Sequence, residues 1–294
     1  MKKLFCFLLL ASLLVLPGFS LQTEAFPVLA GGLFGASEAD GRLITLNGDS
    51  ASFHGSGIAV NGSEIVLTEP GEYVVTGKLN NGRIVINTGA SDEKISVTLD
   101  GADITCLDGP AIYIIQAKKA RLYMAEGTEN TVTSGTEELM ATHDDSRSAA
   151  AIFAEDDLDI KGPGKLTVNG YLNNGITCKD DIDLDGGTVV INAANNGIKG
   201  SESVEVNDGV ITITCGNDGL KATSTKIGKG YVEINGGTLS IYCEGNGISA
   251  ASDFVMTGGN TEIYTKKQPI IKVGGSRLVQ GGAVYGNGEL LEFN

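Results

Sequence analysis

The sequence contains no tryptophan, only 2 histidines and only 6 prolines among 294 residues. His54 and His143 lie far apart, and no cysteine sits at ligand spacing from either. That excludes a zinc centre of the usual kind and any recognisable Ser-His-Asp or Cys-His nucleophile. Without tryptophan, a flat aromatic platform for crystalline cellulose has little to be built from. Basic residues are also short, with 21 Lys and Arg against 36 Asp and Glu, a net charge of −15. Nucleic acid and anionic membrane surfaces are therefore poor partners. Cations, neutral sugars and anions bridged by cations fit better. Beyond the first twenty residues no apolar run is long enough to span a membrane.

Those first residues read as a secretory signal. Lys2 and Lys3 precede an apolar run from Leu4 to Leu16, then Pro17-Gly18-Phe19-Ser20. Cleavage is expected after Ser20, with Ala25 a second option. Removing residues 1–20 takes two lysines and no acid, so −15 becomes −15 − 2 = −17. The mature chain is expected to be secreted, extracellular or periplasmic, and a monomer. Residues 21–40, with Gly31-Gly32-Leu33-Phe34-Gly35, read as a linker or an N-terminal cap, and residues 41–294 as one domain. Cys6 falls in the signal, leaving 5 − 1 = 4 cysteines: Cys106, Cys178, Cys215 and Cys243.

Glycine is abundant, at 42 residues, and it recurs in register. Gly187-Thr-Val-Val-Ile-Asn-Ala193 precedes Asn195-Asn-Gly-Ile198. Gly209-Val-Ile-Thr-Ile-Thr-Cys215 precedes Asn217-Asp-Gly-Leu220, and Gly237-Thr-Leu-Ser-Ile-Tyr-Cys243 precedes Gly245-Asn-Gly-Ile248. One residue longer, Gly164-Lys-Leu-Thr-Val168 precedes Asn173-Asn-Gly-Ile176. The turn glycines step by 197 − 175 = 22, 219 − 197 = 22 and 247 − 219 = 28, the last step holding an insertion near Ser224 to Lys229. A short period of strands and glycine turns without helix periodicity predicts a parallel β-solenoid of about 22 residues per coil. A leucine-rich repeat lacks its Leu-x-x-Leu-x-Leu pattern here, and an antiparallel sandwich would not keep one turn residue in one column.

Alternation assigns the columns. Val189, Ile211 and Leu239 point inward, as do Ile191, Ile213 and Ile241, then Ala193, Cys215 and Cys243, then Ile198, Leu220 and Ile248. A second strand per coil carries Leu158 and Ile160, Ile182 and Leu184, Val204 and Val206, Val232 and Ile234, Phe254 and Met256. Cys215 and Cys243 read as small buried hydrophobes; a disulfide between them is the alternative, to which stacking geometry is poorly suited. Strands from about Ile44 to Thr133 read as earlier coils, residues 134–148 as a long polar loop, and Ile270-Ile-Lys-Val273 with Leu278 to Leu291 as the C-terminal closure.

At Ala149-Ala-Ala-Ile-Phe-Ala-Glu-Asp-Asp-Leu158, Asn174-Gly-Ile-Thr-Cys-Lys-Asp-Asp-Ile182, Gly197-Ile-Lys-Gly200 and Asn217-Asp-Gly-Leu-Lys221 the chain resembles a known family. It is similar to the bacterial carbohydrate-binding β-helix family first known from a cellulolytic clostridium. The resemblance runs from about Leu43 to Tyr264. It implies a right-handed, single-stranded parallel β-helix like that of pectate lyases, cellulose or polygalacturonate as partner, and Ca²⁺ as a structural or bridging cofactor. The family has Asp-Gly where this chain has Asn196-Gly197 and Asn246-Gly247, and Asp where it has Glu202, so some carboxylates are missing.

The columns bring candidate sites together. Asp156, Asp180 and Glu202 share one, Asp157 and Asp181 the next, and Asp159, Asp183, Glu205 and Glu233 form an outward ladder. Carboxylates about 5 Å apart repel by roughly 3 kcal/mol at an effective dielectric near 20, so a cation held among them turns repulsion into attraction. Asp156, Asp157, Asp180, Asp181, Glu202 and Asp218 are therefore the candidate calcium ligands. The alternative is a solvated acidic face neutralised by Lys161 and Lys179. Asn174, Asn196, Asp218 and Asn246 share a turn column and suit a ladder of amides bonded from coil to coil. Lys199 and Lys221 stack beside these acids. With exposed Tyr242 and Tyr264, which share an outward column, they are the candidate sugar-binding residues. The expected function is non-catalytic polysaccharide binding. One alternative is a calcium-dependent pectate-lyase-like enzyme with Lys199 or Lys221 as the base. The other is a surface structural or adhesive protein without a sugar ligand.

Overall fold

A coil begins with a three-residue strand such as Ile176–Cys178. It continues in Asp181–Ala193, which glycines at 186 and 187, both with positive φ, bend into two arms. It closes through the turn at residues 194–197 into Ile198–Gly200. The three-residue strands stack in parallel register: Ile112, Ile152, Ile176, Ile198, Leu220, Ile248 and Ile271 are successive partners. The long arms stack in the same way, pairing Ile182 with Val204 and Ile191 with Ile213. The protein is thus an all-β parallel solenoid, as the periodicity predicts. This computed structural model describes residues 41–89, 93–140 and 150–293. The signal at residues 1–20, the linker or cap at 21–40 and His143 lie outside the described residues. The chain divides into units Met1–Ala36 and Ser37–Asn294, and the solenoid belongs to the second.

The inward columns form the core. Leu158, Ile182, Val204, Val232 and Phe254 are fully buried, and so are Val168, Ile191, Ile213, Ile241 and Ile263. Each such side chain contributes about 1.5–3 kcal/mol by leaving water, and each rests on its equivalents one coil above and below. Cys243 departs from the expectation. Cys215 beneath it is 5 % exposed, but Cys243, in the same inward column, is only half-buried. The recurring turn glycine is required by close approach. A Cβ on Gly197 would stand 2.4 Å from Ile213 Cγ2 and 2.8 Å from Gly219 O, and Gly175 and Gly219 are hemmed in alike.

Coil length varies where segments loop out. Residues 223–230 separate Leu220–Ala222 from Tyr231–Ile234 and hold the predicted insertion. Part of the expected polar loop is instead a short helix, Glu137–Met140; residues 141–149 lie outside the described residues. Hairpins blunt the sheet ends, where an unpaired strand would invite edge-to-edge association. Arg42–Gly48 pairs antiparallel with Ala51–His54, Ile58–Asn61 with Glu64–Leu67, and Ala283–Gly286 with Glu289–Leu290. No helix among the described residues is long and apolar enough to cross a membrane.

Candidate functional site

Three surfaces collect the residues singled out above. The first is the acidic wall. Register places Asp157 below Asp181 and Asp181 below Ser203, as expected from Leu158, Ile182 and Val204 beside them. Burial pushes the Asp180 pKa up, and the neighbouring charges of Glu202, Asp157, Asp156 and Asp181 push it further. Burial likewise raises Asp157. The wall carries its own cation. Lys229, on the inserted loop, places its Nζ 2.5 Å from Glu202 Oε2 and 3.6 Å from Asp181 Oδ2. Asp156 accepts the Ala117 amide at 2.9 Å and Asp181 Oδ1 accepts the Ser203 hydroxyl at 2.7 Å. Asp218 is spent as well: Oδ1 accepts the Asn246 amide at 2.8 Å and Oδ2 meets Lys221 Nζ at 2.8 Å. Among the described residues no three acidic, His or Cys side chains gather as metal ligands. The Lys229 ammonium thus stands between Asp181 and Glu202, where the sequence placed two of the candidate calcium ligands.

Two predictions follow from the wall. A carboxyl whose pKa is higher in the folded than in the unfolded chain costs stability when ionised. That cost is present at neutral pH and disappears below the ordinary Asp value of 3.8. Asp180→Asn should therefore raise the melting temperature by about 1–3 °C at neutral pH, after allowing for solvent screening. The gain should vanish near about pH 3; a gain that persists there would assign it to something other than charge. Lys229→Ala should make melting calcium-dependent, with millimolar calcium raising the midpoint by a few degrees by mass action. The parent chain should melt identically in calcium and in chelator.

In the outward ladder beside the wall, basic side chains cover Asp159 and Asp183. Asp159 is buried, with Lys119 Nζ at 2.7 Å and Arg121 Nη2 at 3.6 Å; the same lysine reaches Asp183 at 3.0 Å. Although burial works against it, the hydrogen bonds that Lys119 donates to Asp159 and Asp183 hold its pKa above the ordinary value. Glu205 accepts the Tyr231 hydroxyl at 2.6 Å.

The second surface is the amide groove. Asn196 donates its backbone amide and its side-chain amide to Asn174 Oδ1 at 3.0 and 2.9 Å, and Asp218 N reaches Asn196 Oδ1 at 3.3 Å. A second ladder, unnoticed in the sequence, runs beside it: Asn195 donates to Asn173 at 2.9 Å and Asn217 to Asn195 at 3.0 Å. The doubled Asn-Asn at 173–174 and 195–196 was the available signal. A groove of about 560 Å³ opens over these amides, lined also by Phe153, Thr177, Lys179 and Lys199. Lys179 is tied to Glu155 at 2.7 Å. Lys199 makes no ion pair among the described residues, whereas Lys221, stacked directly on it, is paired with Asp218.

The third surface is aromatic. Asn192, Thr214, Tyr242 and Tyr264 are successive partners in one outward column. The two rings are stacked 5.0 Å apart at 6° and remain 46 % and 38 % exposed. They line a cleft of about 930 Å³ with Thr214, Cys215, Cys243, Glu244, Thr265, Lys266, Gln268 and Asn287. The four expected sugar-binding residues therefore do not meet. Tyr242 and Tyr264 share this cleft, while Lys199 opens into the other groove.

A family model described as carbohydrate-binding domain-containing protein matches residues 61–278, well over half of the chain. The chain belongs to this carbohydrate-binding domain family. A relative from Acetivibrio thermocellus, also described as a carbohydrate-binding domain-containing protein, is 36 % identical over 137 residues, which is 47 % of this chain and 48 % of the relative. The chain thus spans about half the length of that curated relative in the match. A solved structure described as the polysaccharide lyase-like protein from C. thermocellum, a gadolinium derivative, superposes with a TM-score of 0.70 at 32 % identity. The match covers 84 % of this chain and 96 % of that one.

Proposed function

We propose that this chain is an exported, non-catalytic polysaccharide-binding protein whose sugar site is the Tyr242–Tyr264 cleft. The observation that carries the reading is the stacked, exposed ring pair on the wall of a cleft of about 930 Å³. A pyranose presents an apolar face of C–H groups and a rim of hydroxyls. Tyrosine offers the matching apolar ring with a polar tip, and Thr214, Gln268 and Asn287 supply donors and acceptors around it. The cleft volume suits a few sugar units at most. Membership of a carbohydrate-binding family supports the ligand class, and residues 1–20 support export. The acidic wall is held by lysine ammonium groups in this reading, and calcium enters only once Lys229 is removed.

One observation favours a second reading, a polysaccharide lyase: Lys199 lies in a polar groove without an ion-pair partner among the described residues, whereas Lys221 is neutralised by Asp218. A single experiment separates the two. The protein is incubated with insoluble cellulose and with polygalacturonate, with and without chelator, and scored for retention and for unsaturated uronide absorbance. Binding without catalysis predicts retention, unaffected by chelator, and no product. Product lost in Lys199→Ala would establish the lyase. Neither retention nor product would leave a structural or adhesive protein.

A further inference from the structure

The floor of the tyrosine cleft holds two thiols. Cys215 and Cys243 are direct partners on the neighbouring strands Ser203–Cys215 and Thr238–Cys243. Parallel strands run about 4.8 Å apart, inside the roughly 4.4–6.8 Å Cα separation that disulfides span. Of the four cysteines among the described residues, Cys243 alone is half-exposed, and the others are buried. Cys215 lies beneath it and donates toward the carbonyls of Asn217 and Asp218, both at 3.4 Å. We propose that Cys243 and Cys215 are a thiol–disulfide exchange site, with Cys243 the entering nucleophile and Cys215 the resolving thiol.

The roles follow from access and from protons. The Cys215 S–H beside it holds the Cys243 thiol below its ordinary value, while the same contact, with burial, raises Cys215. An acidified thiol at the accessible sulfur and a proton held more tightly on the buried one is the order of roles that exchange uses. Cys178 is the contrast: burial pushes it up to about 12, and its sulfur donates to the carbonyls of Asp156 and Asp181. The oxidant is a small-molecule disulfide reaching the cleft from solvent. The Cys243 thiolate attacks one of its sulfurs, forming a mixed disulfide and expelling one thiolate. Cys215 then loses its proton to that departing thiolate and attacks Cys243 Sγ, closing Cys215–Cys243 and releasing the second thiolate. The small disulfide is reduced to two thiols and the protein pair is oxidised. The bond ties adjacent coils at the cleft floor.

The test treats the reduced full chain with oxidised glutathione, quenches with acid, and locates each cysteine by peptide mass spectrometry. The expected result is a Cys215–Cys243 cross-linked peptide, with Cys106 and Cys178 still thiols. Cys215→Ser should stop at a stable glutathione adduct on Cys243, and Cys243→Ser should leave Cys215 unmodified. An adduct that persists on Cys243 in the parent chain would overturn the resolving role. An unmodified Cys243, or equal reaction at Cys106 and Cys178, would overturn the site itself. The parent-chain measurement decides these points even if a serine variant folds poorly.

Discussion

Gly197→Val lowers the melting temperature by about 5–15 °C, the expected consequence of about 2–4 kcal/mol of overpacking in a body of this size. The turn at residues 194–197 lies against the next coil, and the added Cβ alone would stand 2.4 Å from Ile213 Cγ2 and 2.8 Å from the Gly219 carbonyl. Ile213 is fully buried and Gly219 O accepts the Ile198 amide at 2.9 Å, so neither neighbour can move without breaking the stack. Gly41→Ala is the control, since a Cβ there meets nothing within 4 Å. Thermal melts of the two variants check the claim. Equal melting temperatures would mean that the turn yields, and the close-approach account of the glycine column would fail.

Removing both rings, as Tyr242→Ala with Tyr264→Ala, should weaken polysaccharide retention by about thirty-fold or more, the roughly 2 kcal/mol typical of a buried aromatic anchor. Each single variant should lose less, because the surviving ring still presents one face. Folding should be spared: both rings lie outside the core, 46 % and 38 % exposed, and the inward Ile241 and Ile263 are untouched. Lys221→Ala should leave retention unchanged, as that ammonium already belongs to Asp218. Binding isotherms on insoluble polysaccharide, with melts run alongside, separate loss of the site from loss of the fold.

Much of this architecture is legible in the chain because a solenoid turns sequence spacing directly into spatial stacking. A 22-residue period puts Ile198 over Ile176 and Leu220 over Ile198, and the register agrees. The inward columns, the Asn174–Asn196–Asp218–Asn246 ladder and the Tyr242–Tyr264 stack all follow from that arithmetic. What escaped it arises where the period breaks. Lys229 sits on the inserted loop, so no column assigns it a neighbour, yet the loop folds its ammonium onto Asp181 and Glu202. Lys119 and Arg121 come from an earlier, longer coil, and their cover buries Asp159, which alternation alone places on the outward face. Cys243 shares its column with buried Ala193 and Cys215 and is still half-buried, which the period alone does not foretell. The separation of Lys199 from the tyrosines has the same origin. Columns relate residues along the stack, but the corner between two faces of a coil is a matter of turn geometry.

The absence of tryptophan makes the central claim directly measurable, since the ultraviolet emission of this chain comes from its tyrosines alone. Soluble oligosaccharide is titrated into the parent chain and into the Tyr242→Leu, Tyr264→Leu double variant while tyrosine fluorescence is followed. Sugar bound at the stacked pair predicts a saturable change in the parent chain and none in the double variant. A saturable change of equal amplitude and midpoint in both would place the sugar elsewhere and contradict the account.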